Sequence, residues 1–325
     1  MFDDSDGSMK LVDPLFARGV GEHIIEKYRY SRFRLHKLFS AVDARKIHLD
    51  TFIGKGEGWF FLVKRGSGAI GLLKLGRLDW DSFHFGLPMY RIEFLHCEND
   101  PSAWMGLGEE VSVMLSSFLG RGHHVDAAVD HDDYIWLNAL IDAGFHLYDS
   151  KNHYVFRRHQ KPISVRLPFL CRELLPDDMD AVFGILTETD FPAKFSRDPF
   201  FYNNKEKVKL MYESWVNGLV SRKQGDDPVL VVERMGQVVA FGAGATMALP
   251  PIAGGKKVCG NSLFFCKSDS AGSYPTLVHY LTRCTKNYFD ALELAASITN
   301  YPAIRVIERF AFQVAGGVHS LSLKL

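Results

Sequence analysis

Asn300-Tyr301-Pro302-Ala303-Ile304-Arg305-Val306-Ile307-Glu308-Arg309-Phe310-Ala311-Phe312, near the carboxyl end of the chain, has the pattern of a short amphipathic helix. Ala303, Ile304, Ile307 and Phe310 fall on one side of a helix of period 3.6. Asn300 precedes them as N-cap, and Pro302 sits in the first turn, where its missing N–H leaves no bond unmade. Phe312 then leads toward a final strand, His319 to Leu325.

On its amino-terminal side strand and helix patterns alternate. Ala291 to Ile298 reads as the strand before this helix, Pro275 to Tyr288 as a helix with Leu277, Leu281 and Cys284 on one side, and Asn261 to Lys267 as another strand. Pro228 to Arg234 and Val238 to Ala245 form a hairpin across Met235-Gly236-Gln237. Glu206 to Val220 is a helix with Val208, Met211, Trp215 and Leu219 on one side. An aromatic loop, Phe191 to Asn204, precedes it and holds Lys194, Arg197 and Asp198. Pro176-Asp177-Asp178 opens a helix to Leu186, its acids placed where the helix dipole favours them. Ser164 to Cys171 reads as the first strand of this half.

The amino-terminal half repeats the theme. Val20 to Asp50 is helical with polar breaks. Trp59 to Lys64 and Ala69 to Leu75 are strands joined through Arg65-Gly66-Ser67-Gly68. Trp80, Phe83, Phe85 and Tyr90 lie so densely that they should fill a core or line a pocket. A helix from Trp104 to Leu119, a strand from Val125 to Val129 and a helix ending Ala143-Gly144-Phe145 follow; that ending echoes Phe310-Ala311-Phe312 and marks an internal repeat. Strand Asn152 to Arg158 closes this half. The polar, proline-containing Arg158-His159-Gln160-Lys161-Pro162 places the boundary there, giving domains 1–160 and 161–325.

A chain of 325 residues is comfortable as two domains. Lys and Arg total 38 and Asp and Glu total 38, so no global charge points to nucleic acid or an anionic membrane. No apolar run is long enough to span a bilayer. The acidic start, Met1 to Ser8, carries no secretory signal and reads as a flexible tail. Cys97, Cys171, Cys259, Cys266 and Cys284 include no Cys-x-x-Cys pair, which fits reduced thiols in a cytoplasmic protein. His123-His124 reads as a surface turn, and no histidine spacing calls for a metal.

The order strand, Asn, short helix, Phe, strand resembles the carboxyl end of the GNAT superfamily of N-acetyltransferases, Asn-x-x-Ala-x-x-x-Tyr-x-x-x-Gly-Phe. Asn300, Ala303 and Phe312 match; Ile307 replaces the Tyr and Ala311 the Gly. Trp80, Asp81, Ser82, Phe85, Gly86, Arg91 and Ile92 are similar to the amino half of the bacterial dTDP-fucosamine acetyltransferase group within that superfamily. The resemblance implies an α+β fold of two GNAT-like (acyl-CoA N-acyltransferase) domains in tandem, each a mixed, mainly antiparallel sheet flanked by helices. It implies acyl transfer, acetyl-CoA as co-substrate, from that donor to a primary amine of a small molecule such as a nucleotide-linked amino sugar. The first domain lacks a glycine-rich loop and is expected to bind no donor.

In the second domain the resemblance implies that strands 263–266 and 291–298 part to admit the pantetheine arm. It assigns the donor to Phe264, Phe265, Cys266, Ser268, Ala271, Gly272, Ser273, Asn300 and Ala303, and the acceptor to Arg197 and Trp215. Ala271 and Ser273 stand at the small positions of the phosphate loop, and Ser273 is the expected helix cap. Ser268 replaces the usual basic or amide residue, and Asp269 adds an unfavourable charge. Ile307 cannot transfer a proton, so no catalytic residue is assigned; Cys266 and Tyr301 are near that place in the chain, and His279 reads as a satisfied or surface histidine. Two other readings stay open: a carrier-protein thioester or aminoacyl-tRNA as donor, and an inactive GNAT-like binding module. A homodimer and an acyl-carrier protein remain open as partners.

Overall fold

The structure is a computed structural model that describes residues 9–54, 58–65, 68–97, 100–167, 169–191, 193–221, 223 and 225–325. Met1 to Ser8 and the turn residues Gly66 and Ser67 lie outside them. The chain divides into two compact units: Met1–Ser150 with Pro250–Ala253 and Gly316–Leu325, and Lys151–Leu249 with Gly254–Ala315.

In the first unit β1 (Met9–Val12), α1 (Pro14–Ile25), α2 (Ala41–Gly54), β2 (Gly58–Arg65), β3 (Ala69–Arg77), α3 (Asp79–Phe85), β4 (Met89–His96), α4 (Leu107–Phe118), β5 (His124–Asp130) and α5 (Tyr134–Asp142) follow in order. The chain continues as β6 (His146–Arg157), whose residues from Lys151 belong to the second unit. That unit then runs β7 (Leu170–Glu173), α6 (Met179–Glu188), α7 (Lys194–Arg197), α8 (Pro199–Tyr202), α9 (Lys205–Ser221), β8 (Val229–Arg234), β9 (Gln237–Thr246), β10 (Val258–Cys266), α10 (Ser273–Tyr288), β11 (Ala291–Ser297) and α11 (Tyr301–Arg309). The last strand, β12 (Gln313–Lys324), returns to the first unit from Gly316 on.

The sheet of the first unit has the order β1-β2-β3-β4-β5-β12, and that of the second β6-β11-β10-β9-β8-β7. Most neighbours are antiparallel; β4–β5 and β10–β11 are parallel. Backbone pairing explains why the units do not divide after Gln160. Lys151–Arg157 pair with Ser297–Ala291, and Val318–Lys324 pair with Asp130–His124. Each sheet is thus completed by a strand from the other half of the sequence.

Both faces of the first sheet are buried. Leu73, Leu75, Ile92 and Phe94 meet Val111, Leu115, Trp136 and Leu140 of α4 and α5. Leu72, Leu95, Phe60 and Leu62 meet Ile24 and Phe52 of α1 and α2. Each fully buried Leu or Phe contributes about 2 kcal/mol. In the second unit Leu277 and Leu281 of α10, Ile307 of α11 and Phe310 just after it cover Tyr154, Phe156, Leu292 and Leu294. No helix among the described residues is long and apolar enough to cross a membrane.

Several local readings change. The stretch from Val20 to Asp50 is two helices, with residues 26–40 in turns between them. Trp80 and Phe83 are 42% and 80% exposed, because α3 is a short surface helix that buries only Phe85. His124 is not in a surface turn; it is buried at the start of β5. The first strand of the second half begins at Leu170 rather than Ser164, and the loop from Phe191 contains the turns α7 and α8. β12 starts at Gln313 instead of His319, since Gly316 accommodates φ +131° inside the strand.

The repeat is visible at the helix ends. Gly144, at φ +93°, lets the Phe145 N–H bond to the Leu140 carbonyl; Ala311, at φ +63°, lets the Phe312 N–H reach the Ile307 carbonyl. Phe145 and Phe312 both fall into the core.

Candidate functional site

β10 and β11 are bonded only at their start. Val258 pairs with Ala291 and Cys259 with Leu292; no further rung joins them among the described residues, although both strands continue. On its other edge β10 shifts register against β9 between Gly260 and Leu263. Such a bulge bends a strand and re-aims its backbone groups. The two strands therefore fork just beyond Cys259 and Leu292.

The outer end of the fork leads through Lys267 to α10. Gly272 is the N-cap, at φ +99°, and no side chain caps the helix. Ser273 does not cap it, as the sequence suggested. Its buried hydroxyl turns back to the Ser270 carbonyl at 2.8 Å and lies 3.0 Å from the Ser270 hydroxyl, so the pair stiffens the loop from within. Ser268, Asp269 and Ala271 are exposed at the loop's surface. The Ser273 N–H bonds to the Ser270 carbonyl and Pro275 has none; without a side-chain cap, this helix start still presents the positive end of the helix dipole. A cation that the sequence pattern does not single out stands here: Arg234, at the end of β8, donates from Nη1 to the Asp269 carbonyl at 3.5 Å.

Phe264, Cys266 and Tyr274 share the α10 face of the sheet, with the rings of Phe264 and Tyr274 6.0 Å apart edge to face. Burial pushes the Cys266 thiol up, and a bond from the Ser273 hydroxyl pulls it partly back. A raised thiol is a poor nucleophile. Phe265 points to the opposite face, stacked 5.1 Å from Phe241, so it does not join Phe264. Asn300 caps α11 by accepting the Ala303 N–H at 3.3 Å; Ala303 is half-buried. Ile307 is wholly buried in the apolar core, and Tyr301 is 65% exposed. His279 is half-buried against Phe310; burial, then the Arg283 charge, lower its pKa, and among the described residues its Nδ1 meets no partner.

On the face opposite α10, Phe191, Tyr212 and Trp215 form a ladder of near-parallel rings, with centroids 4.2 Å and then 6.1 Å apart. Phe191 meets Phe265 edge to face at 6.1 Å, which ties the ladder to β10. Arg197 donates to the Thr299 hydroxyl just after β11, and that hydroxyl is 3.0 Å from the Ser297 hydroxyl. Trp215 and Arg197 thus lie on this side of the second unit by separate routes, the ring ladder and the end of β11.

A second missed pair lies on β11 and β6. Glu293, the first residue past the last rung, is 5% exposed. Its Oε1 is 3.2 Å from Nδ1 of His153. Glu293 was legible as a lone acid inside Ala-Leu-Glu-Leu-Ala; His153 stands 140 residues earlier, and only the pairing of β6 with β11 brings it there. Among the described residues no group of His, Cys, Asp and Glu is placed to hold a metal ion.

The corresponding strands of the first unit part after four rungs, Met89–His124 to Ile92–Ala127. Beyond them Phe94 stacks on His96 at 5.1 Å and meets Trp104 and Trp136 at 5.2 and 4.9 Å. His96 also bonds Asp133 at 3.3 Å. Rings and a buried polar pair pack over that end of the sheet on its α4–α5 face.

No protein-family model and no curated protein matches the sequence. Among solved structures, a GCN5-related N-acetyltransferase from Sphaerobacter thermophilus superposes with a TM-score of 0.61 over 100% of this chain and 99% of its own, at 12% identity. One from Kribbella flavida gives a TM-score of 0.50 over 85% of this chain and 93% of its own, at 11% identity. With its forked parallel strands and repeated helix ends, the chain has the fold of the GCN5-related N-acetyltransferases along its whole length.

Proposed function

We propose that the protein is a GNAT-type N-acyltransferase, which moves an acetyl or other acyl group from acyl-CoA to a primary amine of a small molecule. The observation that carries this reading is the fork of β10 and β11. It leaves two strand edges whose amides and carbonyls can pair with the amide-bearing pantetheine arm. The second unit would hold the donor, and the first, filled by Phe94, His96, Trp104 and Trp136, would not.

The residues fit the donor's parts. The uncapped start of α10 suits a pyrophosphate, Ser268 to Ser273 shape that loop, and Arg234 would supply the positive charge that Ser268 lacks. Phe264 and Cys266 would line the arm, with Asn300 and Ala303 on the helix beside it. For the acceptor, the Phe191–Tyr212–Trp215 ladder offers a flat apolar wall and Arg197 an anion-binding group. Those features favour an amine with a ring and a phosphate, such as a nucleotide-linked amino sugar.

Titration calorimetry with acetyl-CoA tests the donor. Micromolar binding supports the reading, and acetyl transfer to a panel of amino sugars, nucleotide-linked and free, ranks the acceptor. Asp269, exposed in the phosphate loop, favours one alternative: a donor thioester presented on a carrier protein. Turnover with an acyl-carrier protein in the absence of any acetyl-CoA binding would establish that alternative. Neither binding nor turnover with any thioester would leave a binding module with this fold.

A further inference from the structure

The transferase reading leaves a proton unaccounted for, because Ile307 can neither take one nor give one. We infer that His153, oriented by Glu293, takes the proton from the attacking amine and hands it to the departing thiolate. This rests on the transferase reading of the second unit.

Leu292 and Leu294 point into the core beneath α10 and α11, so by strand alternation Glu293 points to the other face. It stands one residue past Leu292, where β10 and β11 separate. A thioester entering the fork from the α10 end would bring its carbonyl toward this apex. His153, on β6, has Ala295 as its register partner. Ala295 is exposed although its neighbours Leu294 and Ala296 are buried, so the face above the imidazole is open to a second substrate.

A carboxylate that is 95% removed from solvent must be hydrogen-bonded or paired to be tolerable, and here it faces Nδ1 of a histidine that keeps 23% of its side chain exposed. A carboxylate on Nδ1 fixes the tautomer with the proton there and leaves the Nε2 lone pair outward. Among the described residues Nε2 has no hydrogen-bond partner. A merely structural ion pair gives no reason for one partner to stay partly in solvent with a vacant nitrogen. A pair that works on an incoming amine does.

The step balances without another reactant. The neutral amine nitrogen attacks the thioester carbonyl carbon and a C–N bond forms. The proton on that nitrogen passes to Nε2, and Glu293 stabilises the imidazolium through Nδ1–H. The tetrahedral adduct collapses, the C–S bond breaks, and the thiolate takes the proton back from Nε2. One group serves as base and then acid, which explains how the site can dispense with a tyrosine at Ile307. His153 would be the catalytic residue and Glu293 a positioning residue.

The test uses the full chain with His153→Ala, Glu293→Gln and Glu293→Asp. Donor affinity is read by calorimetry with acetyl-CoA and turnover by steady-state kinetics with the best acceptor. The expected result for His153→Ala is a fall in kcat of about 100-fold or more with acetyl-CoA affinity within about twofold of the parent. Added imidazole should restore part of that activity and leave the parent unaffected. Glu293→Gln should lower kcat by about tenfold and Glu293→Asp should recover most of it. If both His153→Ala and Glu293→Gln bind acetyl-CoA normally and keep kcat within about threefold of the parent, the pair is structural and the inference fails. If the unaltered protein neither binds acetyl-CoA nor turns over any thioester, the transferase reading fails, and the pair's assigned role goes with it.

Discussion

Cys259 of β10 and Leu292 of β11 are Cα partners on the last rung of their parallel ladder. Beyond that rung the facing edges must find water or a ligand, since a strand's backbone groups are not left unpaired in the dry interior. Hydrogen–deuterium exchange should therefore report the fork. The segment 260–267 is expected to exchange faster than the β8–β9 hairpin, and to slow when acetyl-CoA is added. Exchange in 260–267 that acetyl-CoA leaves unchanged would remove the fork as the donor slot.

How much of this the chain disclosed beforehand depended on distance. The caps and turns were legible because their chemistry is local: Asn300 does accept the Ala303 N–H, and the β8–β9 turn falls at Met235-Gly236. The element order of the second half was legible from periodicity. The strand exchange was not, because β6 reads like any closing strand and only its pairing with Ala291–Ser297 assigns it to the other unit. That same long-range step hid His153. Arg234 was missed for a similar reason: 35 residues separate it from Asp269. The cap assigned to Ser273 failed by one residue, because Gly272 could take the left-handed conformation and Ser273 found a better acceptor in the Ser270 carbonyl.

Ala311 occupies the left-handed region at φ +63°, where Gly144 stands in the first unit. A Cβ there costs about 1–2 kcal/mol, and glycine's extra freedom in the unfolded chain returns part of it. Ala311→Gly should raise stability by about 0.5–1 kcal/mol in urea unfolding. Gly144→Ala should lower it by about 1 kcal/mol for the converse reason, since the added Cβ meets only Leu323 Cδ1 at 3.8 Å. Equal stabilities for Ala311→Gly and the parent would mean that the strain is relaxed elsewhere.

Arg234 and Asp269 set the charge beside the start of α10. If the loop receives a pyrophosphate, Arg234→Ala should weaken acetyl-CoA binding by about tenfold, the loss of one charge-assisted bond. Asp269→Asn should tighten it by a few-fold, and both effects should shrink at high salt. Calorimetry across a salt series checks all three. Unchanged affinity in Arg234→Ala would place the phosphates elsewhere.

Gly71 of β3 makes room for the rings that fill the first unit's sheet. A Cβ on it would lie 2.5 Å from Phe94 Cε2 and 3.0 Å from Trp104 Cη2. Those rings are packed by further aromatics, so they cannot simply withdraw. Gly71→Ala should cost about 1–3 kcal/mol by overpacking. It should leave acetyl-CoA affinity untouched if the donor belongs to the second unit, and a parallel loss of affinity would contradict that assignment. Denaturant unfolding and calorimetry on one preparation decide both points.

His319 carries a pH dependence whose sign follows from its surroundings. Its Nδ1 is 2.8 Å from the Ser150 hydroxyl, and its ring lies 4.5 Å from that of His131. Burial lowers its pKa most, the facing His131 lowers it further, and Asp130, already held by Arg34, raises it only in part. In the unfolded chain the imidazole titrates near about 6.5. The folded form therefore binds this proton less readily than the unfolded form. The stabilising contribution is fully present above pH ~6.5 and is lost as pH falls through the lower folded value. Histidine ring-proton NMR should place the His319 midpoint below that of an exposed histidine, and His131→Gln should move it upward. A midpoint that stays put in His131→Gln would show that burial alone sets it, and a midpoint above ~6.5 would reverse the sign of the linkage.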